Sequence, residues 1–540
     1  MSEEVPQPSG MPRRRLLMSG TATALAAGAV TLGTGAATAS AQSPTAAAAP
    51  SLRDGTRLTG PAARGRGSAG GRRGRTRFGI GYETWYGEKN INQFGTTEAE
   101  PLLGRYDSSD PKVIKQHAQW ILWAGYDFIL LDWSNNLGGN WDSGTAEKIM
   151  AGTDAVLDVY AGLKKRPQVA LLLGLDNGTA GESANWKAQI DRIKTRYLAD
   201  PKLRPLFLEY DGKPLLNVYT GARWTEPPTW DDPDFTVRYM GAFREIVLNP
   251  GGAWSWIDRA PYANGESTPV SDFSHGLQGW TADPAWKVAT MSVNAAYPGV
   301  PDIQFVSTRP AEGAAQQTGT LTSDPFVLTQ DVVSFNAIGT DPAAHITAAT
   351  PDPGGRNLYY LKDAATGEVL RWAEPPGTDT YFMVRQWNVV ELKGRKVVFE
   401  VVSNRTEGPP VGWIGFFGLQ QQRAEMVTAA ASLGGNEYYG SYGNWDAQNR
   451  MSGATLIRQV QGVYDYEPEL ALVQQWNEFG APDQFSVAGS NDIEPTKVTR
   501  LDGPNSDGWG FYYLNLAREL IDQYRAGRTT PQVLLDSRYP

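Results

Sequence analysis

The sequence feature that most constrains the fold is a rhythm of apolar strands and amphipathic helices that is broken once. Apolar runs at residues 127–133 and 168–175 alternate with helical patterns such as residues 146–165, and the rhythm resumes near Arg423 after a long stretch without helix signals. Strands that are apolar on both faces are typical of parallel sheets covered by helices. The sequence therefore predicts a parallel α/β fold with one inserted segment.

The count of these units predicts the fold class. Without the helix-free segment, roughly seven or eight strand–helix units remain in about 290 residues, which fits a (β/α)8 TIM barrel. A helix is predicted at residues 111–125, another at 235–247 and a closing amphipathic helix at 509–525. A doubly wound open sheet is the alternative, although no glycine-rich phosphate loop follows the first strand. The barrel is assigned to residues 78–270 and 421–530.

The helix-free segment, residues 271–420, shows short alternating strands between Gly, Pro and Asp turns. Residues 332–336 and 396–402 are examples. This pattern is typical of an all-β sandwich. It resembles the jelly-roll modules that are appended to many secreted glycosidases and that often bind carbohydrate. We therefore expect an inserted, carbohydrate-binding-like sandwich whose two ends lie close together.

The N-terminal residues have the pattern of an export signal. Three consecutive arginines, Arg13 to Arg15, precede an apolar, Ala-rich run, and residues 39–41 form an A-x-A cleavage pattern. This arrangement resembles a bacterial twin-arginine signal over residues 1–41. Residues 42–77 are rich in Ala, Gly, Pro and Arg and are expected to be a disordered basic linker. We expect a secreted protein with no membrane attachment after signal cleavage.

Composition excludes several classes of site. The 540 residues contain no Cys and three His, with a net charge of −9. Disulfides, thiolate metal sites and a Cys nucleophile are excluded, and the acidic balance argues against nucleic-acid binding. No G-x-S-x-G elbow accompanies a histidine. We expect a monomer without a cofactor or metal; calcium in the sandwich stays open, although no D-x-D-x-D-G loop is present.

Acidic residues end the apolar strands, and indoles accompany four of them. The carboxylates are Glu83, Asp132, Asp176, Asp258, Glu437 and Glu478, and the indoles are Trp85, Trp133, Trp256 and Trp476. The C-terminal ends of parallel barrel strands meet at one face, where barrel enzymes place their active sites. A glycosidase needs a pair of carboxylates there. The alternative is structural, because strand-end acids also cap helices and rim tryptophans also fill cores.

The last of these strands carries the densest cluster. Residues 470–473 are apolar, and Gln474, Gln475, Trp476, Asn477 and Glu478 follow at the C-terminal end. A carboxylate beside an indole and an amide offers a proton carrier, a stacking face and a hydroxyl partner. Glu478 is therefore the first candidate catalytic residue.

The whole constellation resembles glycoside hydrolase family 99, the endo-α-mannosidase-like family, and its WbsX-type relatives. The matching stretches cover most of the predicted barrel and are residues 82–86, 127–135, 212–216, 254–258, 476–480 and 493–496. The resemblance implies a barrel enzyme that uses two glutamates in a retaining mechanism. Glu478 matches the first glutamate, but Ala481 stands at the position of the second. Asp483, Glu437, Asp258 or Asp132 would have to supply the missing carboxylate.

These observations predict a secreted glycoside hydrolase-like enzyme acting on a polysaccharide or glycan. The candidate catalytic residues are Glu478, Asp132 and Glu83, with Glu478 and Asp132 as the preferred pair. A separation of about 5 Å between that pair would favour retention, and about 6.5–9.5 Å inversion. The candidate substrate-binding residues are Trp85, Tyr86, Trp133, Asn135, Asp176, Trp256, Asp258, Glu437, Trp476 and Asn477. Because of Ala481, the alternative is a carbohydrate-binding barrel protein without turnover.

Overall fold

The fold was analysed in a computed structural model of the chain. The structure describes residues 74–87, 99–134, 143–174, 184–221, 230–241, 253–257, 261–291, 302–311, 315–341, 346, 354–405, 412–431, 453–478, 492–497 and 508–532. The predicted signal and most of the predicted linker lie outside these residues.

The elements are as follows in chain order. The first part contains β1 (Arg77–Tyr82), α1 (Pro111–Trp123), β2 (Phe128–Trp133), α2 (Ser143–Ala161), β3 (Gln168–Gly174), α3 (Ala184–Arg192), β4 (Glu209–Tyr210), β5 (Lys213–Gly221), β6 (Thr236–Gly241), β7 (Trp254–Ser255) and β8 (Ala263–Asn264). The middle part contains β9 (Ser267–Ser271), β10 (Trp280–Ala282), β11 (Lys287–Met291), β12 (Ile303–Ser307), β13 (Gly319–Ser323), β14 (Phe326–Val327), β15 (Val332–Gly339), β16 (Asn357–Asp363), β17 (Val369–Ala373), β18 (Thr378–Asn388), β19 (Lys396–Ser403) and β20 (Ile414–Gln422). The last part contains β21 (Met426–Ala430), α4 (Ala454–Tyr466), β22 (Leu470–Gln474) and α5 (Tyr512–Arg525).

Eight parallel strands form the principal sheet. Their spatial order is β7-β6-β5-β3-β2-β1-β22-β21, so neighbours in the sheet are neighbours in the chain except where β1 pairs with β22. That pairing of the first strand with the last bends the sheet towards closure. The short strands β8 and β4 add antiparallel partners to β21 and β5. The molecule is thus a mixed α/β fold with a nearly closed parallel barrel sheet.

The seam of this sheet lies between β7 and β21, where side chains make the connection. Thr428 Oγ1 on β21 donates a hydrogen bond of 2.6 Å to the carbonyl oxygen of Ser255 on β7. The indole of Trp254, also on β7, donates to Glu425, which immediately precedes β21, at 2.9 Å. These two contacts hold the edges together where the described backbone shows no strand pairing.

The two faces of the parallel strands contribute to two separate apolar cores, because successive residues of a strand point to opposite faces. Ile80 and Tyr82 on β1 and Leu131 on β2 belong to an outer core that packs against the helices. Residues of the opposite strand face fill the barrel interior, among them Phe128, Leu130, Ala170, Leu172, Met426 and Leu472. Gly79 makes room for this filling, because a Cβ there would lie 2.1 Å from the ring of Phe128. The barrel is therefore a packed core and not a pore.

Local sequence signals place helix α1 as expected. Asp110 accepts a hydrogen bond from the Lys112 N–H at 2.8 Å, and Pro111 occupies the first turn. Gly125, with φ +93°, follows the helix in the left-handed region that favours glycine. The buried face of α1 carries Val113, Ile114, His117, Ala118 and Ile121. His117 is the polar member of that face.

The prediction of a helix at residues 235–247 is wrong over Thr236–Gly241, which forms the strand β6; residues 242–247 lie outside the described residues. Thr236 and Met240 are buried on this strand, and Val237 and Tyr239 pack against the outer core. Pairing with β5 satisfies the strand's backbone groups and overrides the local helical signal.

Among the described residues, no helix is long and apolar enough to cross a membrane.

The middle part of the chain forms two all-β sheets. One has the order β10-β13-β19-β16-β17 with β14 beside β19, and the other has the order β11-β12-β20-β15-β18 with β9 beside β20. Every described strand pair within them is antiparallel. Phe335, Tyr359, Phe399 and Phe416 occupy the shared core between the sheets.

The two connections between the barrel and this β region run side by side. The Arg423 N–H donates to the Glu266 carbonyl oxygen at 2.9 Å, and the Glu425 N–H donates to that of Asn264 at 2.9 Å. Gln386 on β18 forms two 2.8 Å hydrogen bonds with the backbone of Ala263. The second β sheet is therefore tied directly to the barrel edge.

Candidate functional site

Three neighbouring strand ends build the candidate site. In the barrel register, Tyr82 at the end of β1 pairs with Leu131 on β2, and Ile80 pairs with Val473 on β22. Residues that follow β1 and β22 therefore lie beside the end of β2 at one edge of the sheet. The Trp476 N–H donates to the Gly81 carbonyl oxygen at 2.8 Å and continues this contact past the end of β22.

Glu83 and Asp132 lie on the interior side of these ends. Glu83 follows Gly81 by two residues, and Asp132 follows the interior residue Leu130 by two, so alternation directs both carboxylates to the barrel mouth. Their exposed fractions are 1% and 3%. The Ser134 N–H donates to Asp132 Oδ1 at 2.6 Å. Two predicted catalytic acids thus stand on adjacent strands.

Asn477 holds the backbone of Glu83 with both ends of its amide. The Glu83 N–H donates to Asn477 Oδ1 at 2.9 Å, and Asn477 Nδ2 donates to the Glu83 carbonyl oxygen at 3.0 Å. Gln475 Nε2 reaches the Glu83 carboxylate, with 3.3 Å to Oε1. Asn477 is itself fully buried. Its role in the structure is to position Glu83, and a substrate-binding role for it stays a prediction.

Glu478 is fixed through its backbone by two side chains. The hydroxyl of Tyr86 donates to the Glu478 carbonyl oxygen, and the carboxylate of Asp492 accepts a hydrogen bond from the Glu478 N–H. Burial raises the pKa of Tyr86 well above its usual range, and the negative charge of Asp492 adds to this shift. Tyr86 therefore stays a donor at any ordinary pH. Sequence reasoning did not identify Asp492, which is 2% exposed.

Gln474 places an amide inside the barrel below this group. A Cβ on Gly81 would lie 2.3 Å from Gln474 Oε1, so the glycine is what makes room for the amide. Neither polar atom of that amide has a hydrogen-bond partner among the described residues. The interior layer next to the acids is therefore polar. The next layer towards the N-terminal ends of the strands is apolar and contains the phenyl ring of Phe128.

Two of the predicted stacking residues belong to the outer core. The Trp133 indole is fully buried and donates to Thr153 Oγ1 on α2 at 2.8 Å. Trp476 is also fully buried, with its ring 5.4 Å from that of His117 on α1. The prediction that these two indoles stack on a substrate is wrong, because each lies between a strand and a helix.

The remaining predicted aromatic residues keep small exposed fractions. Trp85 is 4% exposed and packs edge-on against Tyr86, with 6.4 Å between the ring centroids. Trp256 is 6% exposed and packs edge-on against Tyr219, with 5.9 Å between the centroids. Their substrate contacts stay predictions. The other predicted site residues, Asn135, Asp176, Asp258 and Glu437, lie outside the described residues, as do Ala481 and Asp483.

Behind the site lies a buried polar group that the sequence analysis also missed. It comprises Tyr82, Tyr106, His117 and Glu494, and it connects to Asn477. Glu494 lies within the motif at residues 493–496, so the signal was present, but nothing in the sequence indicated its partners. Within the described ranges, no group of three or more His, Asp or Glu residues is arranged to hold a metal ion.

Comparison of the whole chain with solved structures finds distant neighbours. The GH99 endo-alpha-mannosidase from Bacteroides thetaiotaomicron superposes with a TM-score of 0.38 at 12% identity, over 84% of this chain and 99% of that one. A glycoside hydrolase-like protein gives a TM-score of 0.33 at 12% identity, over 83% and 94%. A family 29 carbohydrate-binding module covers 29% of this chain and 87% of its own, with a TM-score of 0.18 at 12% identity.

These neighbours include the group that the sequence motifs resemble. Scores of this size supply no argument about the chemistry of the site, which rests on its own residues. No protein-family model matches the chain, and no curated protein matches it.

Proposed function

We propose that this protein is a secreted glycoside hydrolase-like enzyme that cleaves a glycosidic bond in a polysaccharide or glycan at the C-terminal mouth of its barrel. The observation that carries the proposal is the placement of Glu83, Asp132 and Glu478 at three neighbouring strand ends. Glycoside hydrolysis needs two carboxylates on opposite sides of the scissile bond. Neighbouring strand ends supply them within one small region.

The proposed roles follow from how each acid is held. Glu478 acts as the proton donor or base, because its backbone is fixed by Tyr86 and Asp492 on two sides. Asp132 is the proposed second carboxylate, and Glu83 supports the pair. Fixing the groups before substrate arrives is effective because preorganised positions lower the entropic part of the barrier. Asn477 contributes by holding the Glu83 backbone.

Two finer statements belong to the same proposal. The first is that the nearly closed sheet is a (β/α)8 TIM barrel, for which the support is eight parallel strands in sequential order and the side-chain bridge from Thr428 to Ser255. The second is that residues 1–41 direct export by the twin-arginine route, for which the support is the arginine run and the A-x-A pattern.

The test is a screen of the purified protein against plant, fungal and mycobacterial polysaccharides, with reducing ends and released oligosaccharides as the readout. We expect one class to be hydrolysed by the wild type and not by Glu478→Gln. The matched control is Glu519→Gln, because Glu519 is an exposed glutamate on α5. Wild-type hydrolysis by Glu478→Gln would remove Glu478 from the mechanism.

Ala481 favours a second candidate function, a carbohydrate-binding protein without turnover. In this case a glycan binds at the mouth, but no second carboxylate is positioned across the bond. The distinguishing experiment is long incubation with a glycan that binds, followed by the same assay on Ala481→Glu. Binding without product by the wild type, together with product from Ala481→Glu, would establish this second candidate.

A further inference from the structure

A carboxylate and an imidazole are buried together behind the candidate site. Glu494 and His117 both have an exposed fraction of 0%, and Glu494 Oε1 lies 3.2 Å from His117 Nε2. His117 occupies the otherwise apolar face of α1. Burying these groups is costly unless their hydrogen bonds are satisfied. The proposed hydrolysis uses neither residue directly, so their presence needs another explanation.

An ionised Glu494 can only accept hydrogen bonds, so its two contacts have a defined direction. The Tyr106 hydroxyl donates to Glu494 Oε2 at 2.7 Å. When Glu494 is ionised, its other oxygen accepts the proton of His117 Nε2; in the tautomer protonated on Nε2 alone, His117 Nδ1 accepts from the Tyr82 hydroxyl at 2.8 Å. Burial raises the pKa of Tyr106 well above its usual range, and the charge of Glu494 adds to this shift. Two chains of donors thus end at one carboxylate.

The Tyr106 arm extends to the candidate site. Because Tyr106 gives its only proton to Glu494, its oxygen can only accept from Asn477, whose Nδ2 lies 3.1 Å away. This contact agrees with the two contacts to the Glu83 backbone on which end of the Asn477 amide is the nitrogen. The amide oxygen is then directed at the Glu83 N–H and the amide nitrogen at the Glu83 carbonyl oxygen. Reversing the amide would place donor against donor.

We propose that Glu494 is a positioning residue whose negative charge, relayed through Tyr106, locks the Asn477 amide in the orientation that the Glu83 backbone requires and so fixes Glu83 at the barrel mouth. The inference rests on the proposed function for its effect on catalysis, but the orientation itself does not. The Tyr82–His117 arm gives Glu494 its second partner, and among the described residues none of its hydrogen bonds goes to Asn477 or to the Glu83 backbone. The two arms therefore have different consequences.

This difference supplies a matched pair of variants. Tyr106→Phe and Tyr82→Phe each remove one hydroxyl from the same network, and both tyrosines are buried. The readout is amide hydrogen exchange, measured by mass spectrometry on the peptide that contains Glu83. We expect faster exchange of the Glu83 N–H in Tyr106→Phe, because the Asn477 amide is released. We expect exchange close to wild type at Glu83 in Tyr82→Phe.

A second measurement reports the proton on His117. The chain has three histidines, so the imidazole nitrogen signals of a 15N-labelled sample are few enough to assign with His117→Gln as reference. We expect His117 to carry a proton on Nε2, because this nitrogen faces Glu494. The tautomer protonated on Nδ1 would show that His117 does not donate to Glu494, and this result would overturn the directional argument.

Steady-state kinetics on the glycan that the wild type hydrolyses measure the effect of each variant on catalysis. We expect Tyr106→Phe to lower kcat by about 10- to 100-fold with KM nearly unchanged, since small displacements of a catalytic group cost this much. Tyr82→Phe should stay within about twofold of wild-type kcat, by the same argument. Equal effects of the two variants on exchange and on kcat would refute the proposal. If no glycan is hydrolysed, the proposed function fails, and exchange and the tautomer still decide the orientation.

Discussion

The two ends of the barrel treat buried carboxylates in opposite ways. At the N-terminal end, Glu425 is fully buried and receives Arg238 Nε and Nη2 at 3.0 and 2.9 Å. Arg423 Nη1 lies 3.0 Å from the same carboxylate, and the Trp254 indole donates at 2.9 Å. Burial opposes the charge of Arg238, but hydrogen bonds to Glu425 raise its pKa above the ordinary value. This end is a closed ion cluster.

At the C-terminal mouth, the described hydrogen-bond partners of the acids are amides, a backbone N–H group, a phenol and the carboxylate of Asp492, and they act mainly on the backbone. Asn477 and Tyr86 hold the main chain of Glu83 and Glu478, and a neutral amide, Gln475, reaches the Glu83 carboxylate. A carboxylate saturated by two guanidinium groups stabilises the fold and has no capacity for proton transfer. Under the proposed function, acids that are held through their main chains keep their carboxylates available for proton transfer. The contrast agrees with the division of barrels into a stability face and a catalytic face.

The largest expected effect comes from the mouth. Glu478→Gln removes the proton carrier while the contacts to its backbone persist. We expect a loss of about 10²- to 10⁴-fold in kcat, the usual contribution of general acid–base catalysis. The free energy of unfolding should stay near that of the wild type. The assay is hydrolysis of the glycan found in the screen, with urea unfolding as the control. A large loss of stability with little loss of activity would reverse the assigned roles of the two ends.

The next effect concerns the closed end. Glu425→Gln removes the fully buried counter-charge of Arg238 and Arg423, while the more exposed Asp211 and Glu266 remain beside both arginines. We therefore expect the free energy of unfolding to fall by about 3 kcal/mol, the lower end of the cost of breaking a buried ion pair. Activity per folded molecule should be unchanged. The control is Glu469→Gln, because Glu469 also pairs with Arg423 but is partly exposed, and its loss should cost at most about 1 kcal/mol. Equal losses for the two variants would show that the cluster is not the stabilising unit.

A smaller effect separates the two layers between the ends. A Cβ on Gly79 would lie 2.1 Å from the Phe128 ring, and one on Gly81 would lie 2.3 Å from Gln474 Oε1. We expect Gly79→Ala and Gly81→Ala each to cost about 1–3 kcal/mol, the usual penalty of overpacking. Only Gly81→Ala should also lower kcat, because it displaces Gln474 beside the Gln475 contact to Glu83. Thermal unfolding and the hydrolysis assay together decide this.

The elements that local chemistry defines were predicted from the sequence. The apolar runs of β2, β3 and β22 are buried on both faces, and Asp110, Pro111 and Gly125 bound α1, so each pattern carries its own evidence. Strand β6 was mistaken for a helix. Its burial depends on pairing with β5, a partner that the sequence around residues 235–247 does not specify.

The site was predicted only in part for a geometric reason. Asp132 and Trp133 are adjacent in the sequence, but neighbouring residues of a strand point to opposite faces, so the acid reaches the mouth and the indole reaches α2. The contacts of Asp492 and Glu494 with the residues of β1, α1 and β22 span distant parts of the chain. No spacing rule in the sequence indicates such pairings.

The smallest predicted effect is an alkaline one and compares a half-buried tyrosine with the tyrosines behind the mouth. Burial, followed by the charge of Asp231, raises the pKa of Tyr239 to about 12. Below pH 10 both states keep the proton. Between pH 10 and 12 the unfolded chain loses it first, so the free energy of unfolding falls as pH rises. Because the side chain is half-exposed, we expect Tyr239→Phe to recover less than about 1 kcal/mol of the loss measured between pH 9.5 and 11. Burial raises the pKa of Tyr82 well above its usual range. In this pH range both folded tyrosines keep their protons, so Tyr82→Phe should flatten the same urea-unfolding profile at least as much as Tyr239→Phe does, and a smaller flattening would contradict the burial of the tyrosines behind the mouth.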